Sequence, residues 1–451
     1  MKRFALALSL ALFCLMPARA ADVPSMNRQD WTADFDALYT AMQATHPALH
    51  HRTGAAEMDA YAARFRASIA HGTWPEYVMG LYRLLALVGD GHTTFYPQPD
   101  AGPGFDMRYP VLTQAFADGV YVIGADKAHA AAVGGKLIAI SGHPIGDVFK
   151  TTELYWDHEN PMWVLNWFAF VLRRPGYLSG MQVTARDPAA PAVFTVEKDG
   201  KRTDFAVTPL AVDLDTAAQP DWVHARDDAR IAQPTPLHGK DIAFDFTYLK
   251  SANAVYAVYN QCSDSDTETV AAFAARLFKF VADNKIDKLI IDVRHNGGGD
   301  NYKNQPLILG MIAASDVNRP GHLFVLAGRQ TFSAAQNFAA DAERWTQAIF
   351  IGEPTGSAPN LWGDAKQMEL PLTHLHPMVS TLYWQQSDPR DARTGIMPDV
   401  AAPVRFADYL SGRDPALEAA LAYKSDPAAT ASPPNKHWGR PSQSAAWPLP
   451  F

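Results

Sequence analysis

The sequence predicts an α/β protein with a helical N-terminal part and a β-rich module ahead of its main sheet. Three observations carry this. Residues 27–88 repeat apolar side chains at helical spacing. Residues 107–208 hold short apolar runs that end near glycine. Residues 241–406 alternate strand-like and helix-like segments. The chain has 451 residues and is 48% hydrophobic, enough for two or three cores.

In the helical part, Trp31, Phe35, Leu38 and Met42 fall on one face of a helix. Asn27 or Ser25 caps it, and His46-Pro47 ends it. Met58, Tyr61, Phe65 and Ile69 form a second stripe; Tyr77, Leu81, Leu84, Leu85 and Val88 form a third. This part, residues 21–98, ends in the loop around His92. The β-rich module spans 105–210. Tyr121-Val122-Ile123 and Lys136 to Ile140 are short strands, and the run from Gly134 to Ile145 reads as strand, turn, strand. It is similar to part of a PDZ domain, a module that binds peptide C-termini by strand addition. Any hairpin with a Ser-Gly turn fits the same pattern. Residues 156–172 are aromatic-rich and helical, which a minimal PDZ domain lacks.

The third part, residues 235–410, carries the main sheet. Ala254 to Tyr259 is a strand, Val270 to Val281 a helix, and Leu289 to Val293 an apolar strand that runs into a glycine loop. His322 to Leu326 is the next strand, Ser333 to Trp345 a helix and Ala348 to Ile351 another strand. Repeated β–α order implies buried strands. Residues 411–451 form a proline-rich tail.

The first 20 residues read as a signal peptide: Lys2 and Arg3, an apolar stretch too short for a stable membrane span, then Ala18-Arg19-Ala20 as the cleavage site. Phe13 precedes Cys14, so no lipoprotein signal is present. The reading is a periplasmic or secreted protein without stable membrane insertion. Cleavage after Ala20 leaves Cys262 as the single cysteine, so no internal disulfide is expected. The formal charge is −8; the leader carries Lys2, Arg3 and Arg19 and no acid, so the remainder carries −11. An acidic chain without a basic stripe argues against nucleic acid as a partner. Oligomeric state is not legible.

Three segments carry chemistry. Ser333 follows a strand and a polar turn and opens a helix. A serine there is usually an N-cap. It is also where a helix N-terminus polarises an oxyanion beside the hydroxyl, with the Ala334 amide as one donor. The Gly297-Gly298-Gly299 loop follows a buried strand and matches neither phosphate-binding pattern, so a second donor from Gly297 or Gly298 fits it, as does a plain turn. His92, in Gly89-Asp90-Gly91-His92-Thr93-Thr94, is a base of the right kind for neutral pH. His46, His50 and His51 cluster, but their spacing does not match a zinc motif.

Together these segments resemble the tail-specific (C-terminal processing) and tricorn-core-like serine peptidases. His46-Pro47-Ala48-Leu49, the Gly-Asp-Gly-His-Thr run, Ile290 to Gly299, Thr331 to Ala335, Gly352 to Gly356 and Pro398-Asp399-Val400 occur in the family's order. The resemblance covers most of residues 27–410. It implies a crotonase/ClpP-like ββα catalytic core with an attached PDZ-like module. One branch of the family uses a lysine base; the matching place here holds Ala358, and the next lysine is Lys366. The histidine branch fits, with His92 as base. In the tricorn core a serine precedes that histidine, whereas Gly91 stands here. The orienting acid precedes a Gly-x-x-Pro-Asp segment, here Gly395 to Asp399, which makes Asp391 the first candidate and Asp388 the second.

The expected function is an exported serine endopeptidase acting on peptide or unfolded protein, without metal or organic cofactor. Ser333 is the nucleophile, His92 the base and Asp391 the orienting acid; Ala334 with Gly297 or Gly298 forms the oxyanion site. The alternative is a binding protein for peptide or apolar ligand on the same scaffold.

Overall fold

A computed structural model describes residues 26–95, 101–211, 222–226, 242–424 and 447–451. The signal-peptide expectation and most of the proline-rich tail lie outside these residues.

Three helices open the described chain: α1 (Arg28–Thr45), α2 (Ala55–Ser68) and α3 (Trp74–Ala86). Asn27 caps α1 by accepting from the Gln29 amide. Thr73 and Glu76 close a capping box on α3. The predicted stripes face inward: Trp31, Phe35, Leu38 and Met42 are buried, as are Tyr77, Leu81, Leu84, Leu85 and Val88. Met58 and Ile69 are buried, while Tyr61 and Phe65 are partly covered.

The second part is an antiparallel sheet built from β1 (Val111–Phe116), β2 (Gly119–Ala125), β3 (Lys136–Ile140), β4 (His143–Pro144), β5 (Ala192–Lys198), β6 (Lys201–Val207) and β7 (Val223–His224). Its order is β1-β2-β3-β5-β6, with β4 on β3 and β7 on β2. The predicted Ser-Gly turn is present, with Ser141 and Gly142 both at positive φ. Between β4 and β5 the chain leaves the sheet for α4 (Ile145–Tyr155), α5 (Pro161–Leu172) and α6 (Pro175–Gly180). Helix α5 is the aromatic stretch; residues 156–160 are the loop that leads into it.

The third part is a six-stranded sheet, order β17-β12-β11-β10-β9-β8. Its members are β8 (Phe244–Leu249), β9 (Ala254–Tyr259), β10 (Lys288–Asp292), β11 (Leu323–Ala327), β12 (Ile349–Gly352) and β17 (Val400–Ala401). All neighbours pair parallel except β8 with β9. Helices α7 (Val270–Asn284), α8 (Gln305–Ala313) and α9 (Ala334–Trp345) connect them. The parallel strands β9, β10 and β11 are buried throughout, as continuous apolar runs require. Two small ribbons, β13 (Asn360–Gly363) with β16 (Leu382–Gln385) and β14 (Lys366–Gln367) with β15 (Met378–Val379), sit between β12 and β17 in sequence. Helices α10 (Phe406–Ser411) and α11 (Pro415–Ala422) follow β17. Lys288, buried at the start of β10, donates to the carbonyls of Ala420, Leu421 and Tyr423 and so satisfies the end of α11. No helix among the described residues is long and apolar enough to cross a membrane.

Burial divides this chain differently from its sequence parts. One continuous core joins α1–α3, the antiparallel sheet and α4–α6. A second lies between the six-stranded sheet and α7–α9, and a third, smaller one on the sheet's other face packs α11. Phe332 belongs to the first core and Ala334 to the second. Ser333 is therefore the residue where the first two cores meet.

Candidate active site

His92, the expected base, lies with the first core. After α3 the chain turns at Gly89 and enters the loop of Asp90 to Thr94. Asp90 is buried and gathers this loop around its carboxylate. Oδ1 accepts from the amides of His92 (2.9 Å) and Thr93 (2.6 Å) and from the Ser380 hydroxyl (3.0 Å). Oδ2 accepts from the Thr93 hydroxyl (2.9 Å) and pairs with His46 Nε2 at 3.1 Å. Burial alone would raise this acid; the hydrogen bonds from His46, Thr93 and His92 and the nearby His92 ring hold it below the usual carboxylate range. His46 thus belongs to the Asp90 network. Thr94 exchanges two backbone hydrogen bonds with Met378, which clamps the loop onto β15.

The His92 ring is buried, with Nε2 2.9 Å from Ser333 Oγ. It stacks on Phe332 at 4.6 Å between ring centres, and Phe332 stacks on Trp163 at 3.8 Å. Burial lowers the imidazole pKa. The charges of Asp90 and then Asp364 oppose that shift, and the Trp362 carbonyl adds to them from outside hydrogen-bond geometry. Nδ1 of His92 is buried and makes no hydrogen bond among the described residues.

The nucleophile comes from the turn between β11 and α9. Thr331 pins that turn by donating from its hydroxyl to the Val293 carbonyl at 2.9 Å. Arg329 pairs with Glu353 and also donates to the Ala115 carbonyl at 3.2 Å, tying the turn to β1. Ser333 stands at the N-cap position of α9, but its side chain caps nothing. Its backbone is at φ 55° and ψ −127°, a region that non-glycine residues avoid. The bland N-cap role is therefore absent, and the strained backbone directs Oγ to His92.

The glycine loop lies against this serine. A Cβ on Gly298, which has φ 111°, would stand 2.7 Å from Ser333 Cβ and 3.0 Å from the Ala334 nitrogen. Only glycine allows that approach. The Gly298 amide donates to Asn296 Oδ1 at 2.9 Å, and Asn296 in turn donates to the Tyr259 carbonyl. This corrects the expectation that Gly298 offers an oxyanion donor: its N–H is taken. Among the described residues no acceptor pairs with the amides of Gly297 or Ala334, which leaves those two for a developing oxyanion. Cys262 closes the loop from the other side. Its amide donates to the Gly298 carbonyl at 2.9 Å, and its carbonyl accepts from the Asp300 amide at 2.7 Å.

The orienting acid is also corrected. Asp391 is buried, but its oxygens accept from Arg393 (2.9 and 2.8 Å) and from the Ser387 hydroxyl (2.7 Å). Arg393 makes a second, bidentate pair with Glu343 of α9. No contact joins Asp391 to His92, because the guanidinium beside it is the stronger and better-shaped donor. Asp388 is no substitute: side-chain and backbone hydrogen bonds from Arg390 engage its carboxyl and hold it down at about 2. Asp90 stands in the His92 motif, and its offset of two residues from His92 is the signal for it in the sequence.

Gly91 also reflects close approach. A Cβ there would lie 2.7 Å from the Phe332 ring and 2.9 Å from Glu159 Oε2. The serine that the tricorn core carries at this place would collide with both.

A serine hydroxyl 2.9 Å from a buried histidine, next to a glycine loop in a mixed α/β fold, is an arrangement that suits a serine hydrolase. No family model and no curated protein matches the sequence. Solved structures match by fold. Mature CPAF complexed with lactacystin aligns over 86% of this chain and 97% of its own length, at TM-score 0.56 and 12% identity. A mutant of CPAF aligns over 90% and 100%, at TM-score 0.59 and 11% identity. This chain thus shares its fold with CPAF over most of its length. Structures of a photosystem II D1 C-terminal processing protease and of the tricorn protease also match, at TM-scores of 0.34 and 0.38.

Proposed function

We propose that this chain is an exported serine peptidase with Ser333 as nucleophile and His92 as general base. The observation that carries this is the 2.9 Å contact between His92 Nε2 and Oγ of a backbone-strained Ser333. Fold neighbours that are serine peptidases support the protease class.

In the proposed reaction Oγ attacks a peptide carbonyl carbon while its proton passes to His92 Nε2. The carbonyl π pair moves to oxygen, which the amides of Gly297 and Ala334 receive. Collapse breaks the C–N bond, and the Nε2 proton goes to the leaving amine. Water repeats the sequence in reverse roles and frees the acid and Ser333. The buried Asp90 carboxylate faces the imidazolium at short range and stabilises it through the field rather than through Nδ1. The mechanism calls for no cofactor.

The finer architecture belongs to the same reading. Parallel β–α order in residues 244–352 supports a ClpP/crotonase-like core; the antiparallel sheet with its Ser-Gly turn supports a PDZ-like module that guides an extended peptide. Export rests on the leader sequence. A ligand-binding protein on this scaffold is the competing reading, favoured by the unpartnered Nδ1 of His92 and by the engagement of Asp391 elsewhere.

The test is labelling of the purified protein with a fluorophosphonate probe, mapped by mass, beside Ser333→Ala and His92→Ala. One adduct on Ser333, lost in both variants, is the expected result. A folded protein that takes no adduct overturns the peptidase reading in favour of the binder.

A further inference from the structure

Two buried polar groups flank Gly91, and among the described residues neither makes a hydrogen bond of full geometry, although the Trp362 carbonyl lies beside one and the Gly91 amide beside the other. One is Nδ1 of His92, which carries the ring proton whenever Nε2 accepts from Ser333. The other is the side chain of Glu159, whose Oε1 and Oε2 are both buried without a hydrogen bond. A buried donor and a buried acceptor both left without a full hydrogen bond are unusual in a folded interior. Oε2 lies 2.9 Å from where a Gly91 Cβ would stand, and His92 is the next residue.

The Glu159 backbone is held in place. Arg52 donates to the Glu159 carbonyl at 3.3 Å. The neighbouring Asn160 caps α5 and donates to the Thr355 carbonyl at 3.1 Å. The other acids nearby are committed: Asp90 serves five donors, Asp157 accepts from the Thr94 hydroxyl, and Asp391 serves Arg393.

We propose that Glu159 is the positioning residue for the base, its carboxylate reaching His92 Nδ1–H directly or through one water as His92 becomes charged. This rests on the Ser333–His92 reading above. The glycine at 91 is what leaves the path open. The proton balance is simple. Glu159 first loses its own proton to solvent; Nε2 then takes the Ser333 proton, and the carboxylate faces an imidazolium without accepting a proton from it.

Burial, and then the negative charge of Asp90, push the Glu159 carboxyl up to about 8, against the pull of the Gly91 amide and Arg52. Near neutral pH the acid is mostly protonated. The charged and titratable groups facing the pair are Asp90 and Arg52 from the helical part, Asp157 beside it, and Asp364 on the His92 side. His158 is turned away onto the Trp156 carbonyl.

The experiment is the pH dependence of fluorophosphonate labelling at Ser333 in the full chain, for the native protein, Glu159→Gln and Glu159→Ala. The native rate is expected to rise in two steps, the lower from His92 and the upper from Glu159. Both variants lose the upper step and label about tenfold more slowly at alkaline pH, while differing little from the native protein on the acid side. A folded Glu159→Gln that keeps the upper step, or matches the native rate at alkaline pH, overturns the proposal and leaves the peptidase reading intact. Proton NMR of the native chain gives a reading independent of variants: a downfield Nδ1–H resonance grows in as Glu159 ionises, and its absence from a labelling-competent sample overturns the proposal. A native protein that never labels sinks the peptidase reading itself, and this proposal with it.

Discussion

Ser333 sits in a backbone region that favours glycine, and the strain there is removable. Ser333→Gly is expected to stabilise the fold by about 1–2 kcal/mol while abolishing labelling, whereas Ser333→Ala keeps the strain and loses only the label. Denaturant melts of the two variants check this. Glu159 makes an opposite kind of demand. Its folded-state acid is raised from 4.5 to about 8, so the stability it contributes is full below the unfolded value and is lost as pH rises through the folded one. At neutral pH Glu159→Gln is therefore expected to be more stable than the native chain by roughly 3 kcal/mol, at about 1.4 kcal/mol per pH unit, with no difference near pH 4. Urea titrations at both pH values decide it. The His92 pKa is lowered by burial, so the ring stays a free base below its ordinary value of 6.5. The acid limb of the labelling rate should accordingly fall with a midpoint under 6.5, as protonation removes the acceptor for the Ser333 proton. Ser333 and His92 were legible because each lies in a short run whose residue types suit one chemistry. The acid was not: Asp391, Asp388 and Asp364 are alike in sequence, and only packing decides which carboxylate meets an arginine.

Helix α9 carries the nucleophile at one end and Glu343 near the other. The buried chain of Glu343, Arg393 and Asp391 fixes this helix to the loop before β17. Breaking a buried pair leaves an uncompensated charge, so Asp391→Asn is expected to cost about 3 kcal/mol of stability. Its labelling should keep the native pH dependence, because Asp391 does not touch His92. A variant whose acid limb moved would restore the orienting role to Asp391. Among the elements, the long periodic ones were read well. The stripes of α1 and α3 and the apolar runs of β9, β10 and β11 declare their burial in sequence. The ribbons β13–β16 and β14–β15 did not, since strands of two to four residues have no period to read. Yet it is these ribbons that bring Ser380, Met378 and the Trp362 carbonyl to the His92 loop. The strand order of the antiparallel sheet was equally hidden, because pairing between distant segments leaves no local trace.

The whole molecule places the proposed base with one core and the proposed nucleophile at the seam with the next. Phe332 and His92 pack with the helices and the antiparallel sheet, while Ala334 begins the helix of the six-stranded sheet. The site exists only while the two cores are docked. Labelling of Ser333 in rising urea should therefore disappear no later than the first unfolding step, even if circular dichroism shows one core persisting. Labelling that outlasts that step would mean the pair forms within one core alone.

Cys262 adds a consequence of its own. It is buried, burial pushes its thiol up to about 12, and its backbone is zipped to Gly298 and Asp300 on the loop that faces Ser333. A disulfide reagent can reach that sulfur only in moments when the zipper parts. The rate at which the protein consumes such a reagent thus counts the loop's excursions, a clock wired to the oxyanion site that runs without any substrate.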